Sequence, residues 1–408
     1  MKKLLKWCAA TVVLGVLCGV TGFLFSEAIT FVTAFRGEHK WILLLLPVAG
    51  VLTVLLYKAL KVTGVGTVHI FEGVRGEIKV PKLLTPAVFL ASSLTHLCGG
   101  SAGREGAALQ MGGSIASVCS GAFKLSDKER RFLTVVGMAA FFSAVFGTPL
   151  GAAIFAVEVI RKKEYYTGII PSLVSSFIAF FTATFLGAEP ERFSVPDVTF
   201  LDFSNIWKVL ALAVLCGVVG AVFCRSLHIG SHIFKKLFKN DIVCAVIGAV
   251  MIIIMTIAVG NMDYNGSGME LILRAFENEK INYYDFLLKM IFTVVTVGAG
   301  FKGGEIIPTF CIGATFGTTV ALLLGLNPLL GAAVGMGALF AAVTNCPLAT
   351  VFLCFEMFGI ANGGFFVLAV LSAFVCSGKD NIYNVTLFET KVSIKMKNVK
   401  GEQAKKRQ

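Results

Sequence analysis

An arginine and a glutamate stand side by side, Arg104-Glu105, in a stretch with no other Lys, Arg, Asp or Glu from Leu83 to Phe123. An ionised side chain at bilayer depth costs at least ~2.5 kcal/mol even on lenient insertion scales, so it persists where it faces a cavity or meets a partner. Glycines crowd around the pair, in GGSAGREGAALQMGG from Gly99 to Gly113. Glycine lets backbone approach a ligand closely, and a helix start offers free N–H groups to an anion. The chemistry implied is anion binding under a titratable gate. Neighbours along a helix do not face each other, which disfavours the alternative of a simple buried pair with Arg104.

The elements that position these residues must be membrane helices. Hydrophobic residues make up 56% of the 408 and charged ones 15%, against about 25% charged in soluble domains. Trp41 to Tyr57, Phe132 to Val157, Tyr165 to Ala188 and Ile242 to Met262 lack charges and approach or exceed the ~20 residues that span a bilayer. Ile306 to Phe355 is uncharged for 50 residues, and Met357 to Gly378 follows. Ten or more membrane segments are expected, many broken by Gly and Pro. Half of the net charge of +12 lies in the last 18 residues, Lys391 to Gln408, with seven Lys/Arg against one Glu. With Lys2, Lys3 and Lys6 at the other end, this places both termini in the cytoplasm; it speaks for topology and against nucleic-acid binding. The first apolar run continues past Phe25 without a cleavage site, so it reads as a retained helix. No two of the eleven cysteines form Cys-x-x-Cys; Cys98, Cys119, Cys216, Cys311 and Cys354 read as small hydrophobes. His228 and His232 share a helix face but lack an accompanying carboxylate, and no metal site or cofactor is expected.

The chain repeats itself. From Gly137 to Glu158, nine of 22 positions recur at an offset of 198, including Pro149-Leu150 and Glu158 as Pro347-Leu348 and Glu356. Gly103, Glu105 and Gly113 recur 200 residues on as Gly303, Glu305 and Gly313; Gly64 and Gly66 recur as Gly266 and Gly268. Duplicated halves with glycine-interrupted segments mark transporters, in which broken helices aim their N-termini at an anion near the midplane. Three places are nominated: Gly64-Val65-Gly66, Gly103 to Gly106, and Gly303 to Pro308. Close packing by small residues accounts for Gly112-Gly113 and for Gly335 to Ala338, but not for glutamates at matching positions. Sequence identity leaves the relative orientation of the halves open. Glu158 and Glu356 end apolar runs and read as packing carboxylates.

On these residues the chain resembles the CLC family of anion channels and anion/proton exchangers, over nearly its whole length. GSAGREGAALQMG (Gly100 to Gly112) is similar to that family's gating-glutamate segment, and GFKGGEIIPTFCIGATFG (Gly300 to Gly317) to its second anion-binding helix start. FGTPLGAAIFAVE and NCPLATVFLCFEMFG resemble its paired helices. The resemblance implies an all-α, polytopic membrane fold with two inverted helical repeats and broken re-entrant helices, spanning 1–390 (repeat one about 1–205, repeat two about 206–390), with a basic cytoplasmic tail at 391–408. It implies a homodimer in the bacterial inner membrane with one pore per subunit. It assigns gating and proton carriage to Glu105, with Glu305 as a second acid. Gly64, Val65, Gly66, Gly103, Arg104, Gly106, Ile306, Ile307 and the hydroxyl of Tyr383 are its anion-binding set. Three departures distinguish the branch: Val65 stands where chloride members have serine, Glu305 is added within Gly304-Glu305-Ile306-Ile307-Pro308, and Val159 occupies the inner-glutamate position. Together these resemble fluoride/proton antiporters, although Ile307 stands where that branch carries a hydroxyl. The expected substrates are fluoride, or chloride in the alternative reading, and protons. The alternatives are a chloride-type exchanger or passive channel and a membrane-embedded enzyme. An enzyme needs a nucleophile–base pair or a metal with carboxylates; the long uncharged runs supply neither, so no enzymatic activity is expected.

Overall fold

A computed structural model describes residues 2–161, 163–199, 203–277, 279–378 and 380–383. The tail expected at 391–408 lies outside them. The described residues form sixteen α-helices: α1 (Lys2–Glu38), α2 (Leu46–Ala59), α3 (Thr67–Arg75), α4 (Leu84–Leu97), α5 (Glu105–Ala122), α6 (Asp127–Phe146), α7 (Pro149–Glu158), α8 (Ile169–Phe185), α9 (Phe203–Leu237), α10 (Asp241–Val259), α11 (Met269–Phe276), α12 (Asp285–Gly298), α13 (Ile306–Leu324), α14 (Pro328–Thr344), α15 (Pro347–Phe358) and α16 (Gly363–Ser377). They contain no strand, only an isolated antiparallel bridge between Gly103 and Gly304.

Five helical stretches are long and apolar enough to cross a membrane: Leu5–Glu38, Lys40–Ala59, Phe203–Leu237, Asp241–Val259 and Ile306–Leu324. The apolar helices α4, α7, α8, α14, α15 and α16 are shorter. With 37 residues, α1 is ~55 Å long at 1.5 Å per residue. It exceeds a hydrocarbon layer of ~30 Å, as does α9 with 35 residues. Phe185, Leu323 and Val375 remain 77–89% exposed, which lipid accommodates and water would not.

The eight helices of each half pair off in order, α1 with α9 through α8 with α16, and their packing repeats. α5 lies on α6 as α13 lies on α14, α1 on α8 as α9 on α16, and α4 on α5 as α12 on α13. Small residues allow the central crossings: a Cβ on Gly112 would stand 2.1 Å from the Gly137 carbonyl oxygen, and one on Gly335 2.1 Å from that of Gly313. Equivalent helices share their stops as well. α6 ends on Gly147 (φ +75) and α14 on Asn345 (φ +56), both left-handed C-caps, the conformation that Gly and Asn adopt most readily.

The orientation left open by the sequence follows from two carboxylates. Glu158, at the end of α7, accepts the N–H groups of Leu348 and Ala349 at the start of α15 (3.2 and 2.7 Å). Glu356, near the end of α15, accepts those of Leu150 and Gly151 at the start of α7 (2.9 and 2.8 Å). Each acid caps its equivalent's N-terminus, where orphan donors and the helix dipole favour an anion. The equivalent helices α7 and α15 are therefore antiparallel, and the axis that relates the halves runs across them. The repeats are inverted, as expected.

Candidate functional site

α5 and α13 both begin inside the protein, and their leading loops are joined. Gly103 N–H donates to the Gly304 carbonyl (2.6 Å) and Gly304 N–H to that of Gly103 (2.5 Å). This two-bond bridge brings two helix N-termini together, each with first-turn N–H groups that have no partner within their own helix. Only glycine fits: a Cβ on Gly304 would lie 2.3 Å from the Gly106 nitrogen. Ile306 and Ile307 open α13 at 0 and 2% exposure. α3 is tied to the same point, because Gln110 Nε2 donates to Thr67 Oγ1 (3.1 Å) and Thr67 Oγ1 to the Gly106 carbonyl (3.4 Å).

Glu105 is the first residue of α5 and fully buried. Its Oε2 accepts the Arg104 backbone N–H (3.1 Å), and its Oε1 lies 3.4 Å from Arg104 Nε. Side-chain contact between these neighbours departs from the sequence expectation. The rule that adjacent residues diverge applies within a helix, whereas Arg104 is the N-cap and stands outside it. Arg104 Nη2 also meets Glu191 Oε1 at 2.5 Å, from the 186–202 linker between the repeats. Burial raises the Glu191 carboxyl above its ordinary value, with the Arg104 charge opposing.

On the other side a cavity of about 370 Å³ runs from exposed Lys235 and Asp241 inward to Glu305. Gly64 (φ +77), Val65, Gly66, Gln110, Lys302 and Tyr383 line it. Lys302 Nζ lies 4.6 Å above the Tyr57 ring, a cation–π contact. Glu305 is the N-cap of α13, half-buried, with no ion-pair partner among the described residues. The hydroxyls of Tyr57 and Tyr383 and Gln110 Oε1 are buried without a hydrogen-bond partner among the described residues. An unsatisfied buried polar group costs ~1–3 kcal/mol, and these three stand on residues that line the cavity.

The structure thus brings Gly64, Val65, Gly66, Glu305 and Tyr383 to one cavity. It sets Gly103, Gly106, Ile306 and Ile307 at the buried junction behind it, and turns Arg104 with Glu105 toward Glu191. Val159 is buried at the end of α7. His228 meets the Asn381 carbonyl (3.1 Å) and so holds the segment that carries Tyr383. Sequence reasoning missed three residues. Lys302 and Lys289 are lone cations in apolar surroundings, the same signal that singled out Glu105. Lys289 is fully buried and donates to Ser101 Oγ (2.9 Å) and to the carbonyls of Gly266 (2.8 Å) and Tyr264 (3.2 Å), which anchors the loop before Glu105. Glu191 carried no such signal, because its partner lies 87 residues away.

Comparison with known proteins agrees with this geometry. A family model described as voltage gated chloride channel matches residues 49–378. The chloride/fluoride channel protein of Pseudomonas syringae pv. tomato is 32% identical over 388 residues, covering 93% of this chain and 86% of that protein. An H(+)/Cl(-) exchange transporter of Vibrio vulnificus is 28% identical over 421 residues, with 92% and 88% covered. A solved structure of a CLC-type fluoride/proton antiporter superposes with a TM-score of 0.90 at 34% identity, covering 94% of this chain and 98% of that one. A slow cyanobacterial Cl-/H+ antiporter shares the fold, with a TM-score of 0.83 at 23% identity.

Proposed function

The chain belongs to the voltage gated chloride channel family, and from that premise we propose that it exchanges fluoride for protons across a membrane. The observation that carries the reading is Glu105: a fully buried acid at a helix N-terminus, joined by the glycine bridge to a second helix start. Ionised, its carboxylate occupies the place of an anion beside the first N–H groups of α5. Protonated, it loses the charge that holds it there, and a substrate anion takes the seat. Backbone donors from both helix starts replace the water of a small, strongly hydrated halide, because they are numerous and fixed.

The cavity is the second half of the reading. Lys235 lines the outer end of the cavity, Lys58 and Lys61 stand at the end of α2, and Lys236 and Lys239 at the end of α9; Lys/Arg excess marks the cytoplasmic side. An anion entering there meets Lys302, then the Gly64–Gly66 loop and the Tyr383 hydroxyl. Val65 offers that anion no hydroxyl, which favours a small halide satisfied by main-chain donors. Glu305 faces the same cavity and takes the proton task that Val159 cannot perform. The homodimer, the bacterial inner membrane and the cytoplasmic termini belong to the same proposal, on the strength of the family likeness and the charge pattern.

The test is flux in proteoliposomes. A fluoride gradient is expected to drive protons uphill through the wild type, and Glu105→Gln is expected to abolish that coupling. Uphill proton movement by the Glu105→Gln form ends the reading of Glu105. Equal rates for chloride and fluoride in the wild type end the argument from Val65 and leave a chloride-type exchanger.

A further inference from the structure

We propose that Glu191 is a positioning residue that retains the Arg104 guanidinium, so that Glu105 can leave its seat. The inference rests on the gating role of Glu105 and adds a residue to it. Arg104 stands between two acids at unequal distances, with Nη2 2.5 Å from Glu191 Oε1 and Nε 3.4 Å from Glu105 Oε1. The three side chains grade inward from 18% exposed at Glu191 through 15% at Arg104 to 0% at Glu105. An arginine whose only counter-ion is a buried gate acid would either lock that acid in place or be left uncompensated when it moved. Breaking a buried pair by removing one partner is strongly destabilising, because it leaves an uncompensated charge. Glu191 removes the dilemma: the tighter bond stays made when Glu105 departs, and the guanidinium keeps a partner near the surface.

The linker is built to hold that acid still. The Glu191 N–H donates to the Phe146 carbonyl (3.4 Å), and the Phe193 N–H to that of Met357 (2.9 Å). Pro190 packs on Gly147 so closely that a Cβ there would stand 2.6 Å away. Anchors on the ends of α6 and α15 thus fix Glu191 from both repeats. The Arg104 donors also have a reason to face outward, since on the inner side the Gly103–Gly304 bridge and Pro308 close off the space.

A double-mutant cycle read by halide flux in proteoliposomes tests this, using whichever of fluoride or chloride the wild type carries. Glu191→Gln keeps the shape and removes the charge; it is expected to slow turnover about tenfold, while Glu191→Asp keeps most of the rate. In an Arg104→Gln background, Glu191→Gln is expected to add nothing, because there is no guanidinium left to retain. Wild-type turnover in Glu191→Gln overturns the proposal, as does equal slowing with and without Arg104. Should Arg104→Gln be inactive, the Asp and Gln forms decide: a Gln form faster than the Asp form means that shape, not charge, is what Glu191 supplies, and overturns the proposal. Chloride carriage by the wild type would refute the proposed substrate while the same cycle still judged Glu191; absence of any halide flux would refute both.

Discussion

Glu105 and Glu305 occupy matching places in the two repeats, 200 residues apart, yet their surroundings differ. Glu105 is the first helical residue of α5, fully buried and held by Arg104. Glu305 sits one step earlier, as the N-cap of α13, half-buried on a cavity that also holds Lys302. The neighbouring pair Glu158 and Glu356 behaves in the opposite way, since both make the same reciprocal caps. Structural symmetry is kept where α7 and α15 pack on each other and lost at the buried helix starts around Glu105 and Glu305.

The largest effect expected from breaking the comparison is at the acids. Glu105→Gln is expected to lower proton-coupled fluoride flux ~100-fold or more, about 2.7 kcal/mol of barrier. Glu305→Gln is expected to leave anion flux within about tenfold while lowering the protons moved per anion. Parallel fluoride-electrode and pH-electrode traces separate the two, and identical losses from both variants would mean the acids share one role.

The next effect concerns the bridge. Gly304→Ala places a methyl 2.3 Å from the Gly106 nitrogen, whereas Gly103→Ala meets atoms no nearer than 3.0 Å, among them the adaptable Glu105 carboxylate. The first variant is expected to lose several kcal/mol of stability and the second ~1–3 kcal/mol. Thermal unfolding in detergent, followed by size-exclusion fluorescence, ranks them; the reverse order would show that the surroundings of Gly103 are the more rigid.

The smallest effect is at the symmetric caps. Glu158→Gln and Glu356→Gln each weaken two bonds from backbone N–H groups to a carboxylate, and each is expected to cost ~1–2 kcal/mol. The same unfolding assay should find them equal within error. A large difference between them would contradict the likeness drawn from their geometry.

Much of this architecture was legible in the order of residues. Gly103 to Gly106 and Gly303 to Pro308 announced two helix starts, since glycine before a small-residue helix in an apolar run has few other uses. The repeat offsets announced the pairing of α5 with α13 and of α7 with α15. Glu158 and Glu356 were readable as packing carboxylates from their place at the ends of apolar runs. The Arg104–Glu105 contact was misjudged because the helix boundary falls between the two residues, and that boundary depends on how the loop is held by Gly304. Lys302 was readable by the rule applied to Arg104 and Glu105, a charge at the edge of an uncharged run, since Met290 to Phe301 before it carries none.

The sequence by itself determined a polytopic membrane protein of two duplicated halves with glycine-led helix starts, because hydrophobic length, glycine placement and duplication are properties of the chain alone. Only the tertiary structure decided that the halves are antiparallel, that Tyr383 joins the Gly64–Gly66 loop at one cavity, and that Glu191 pairs with Arg104 beside Glu105. Those facts depend on contacts between residues far apart in the chain, where Coulomb attraction and hydrogen bonding act through space and leave no periodicity to read.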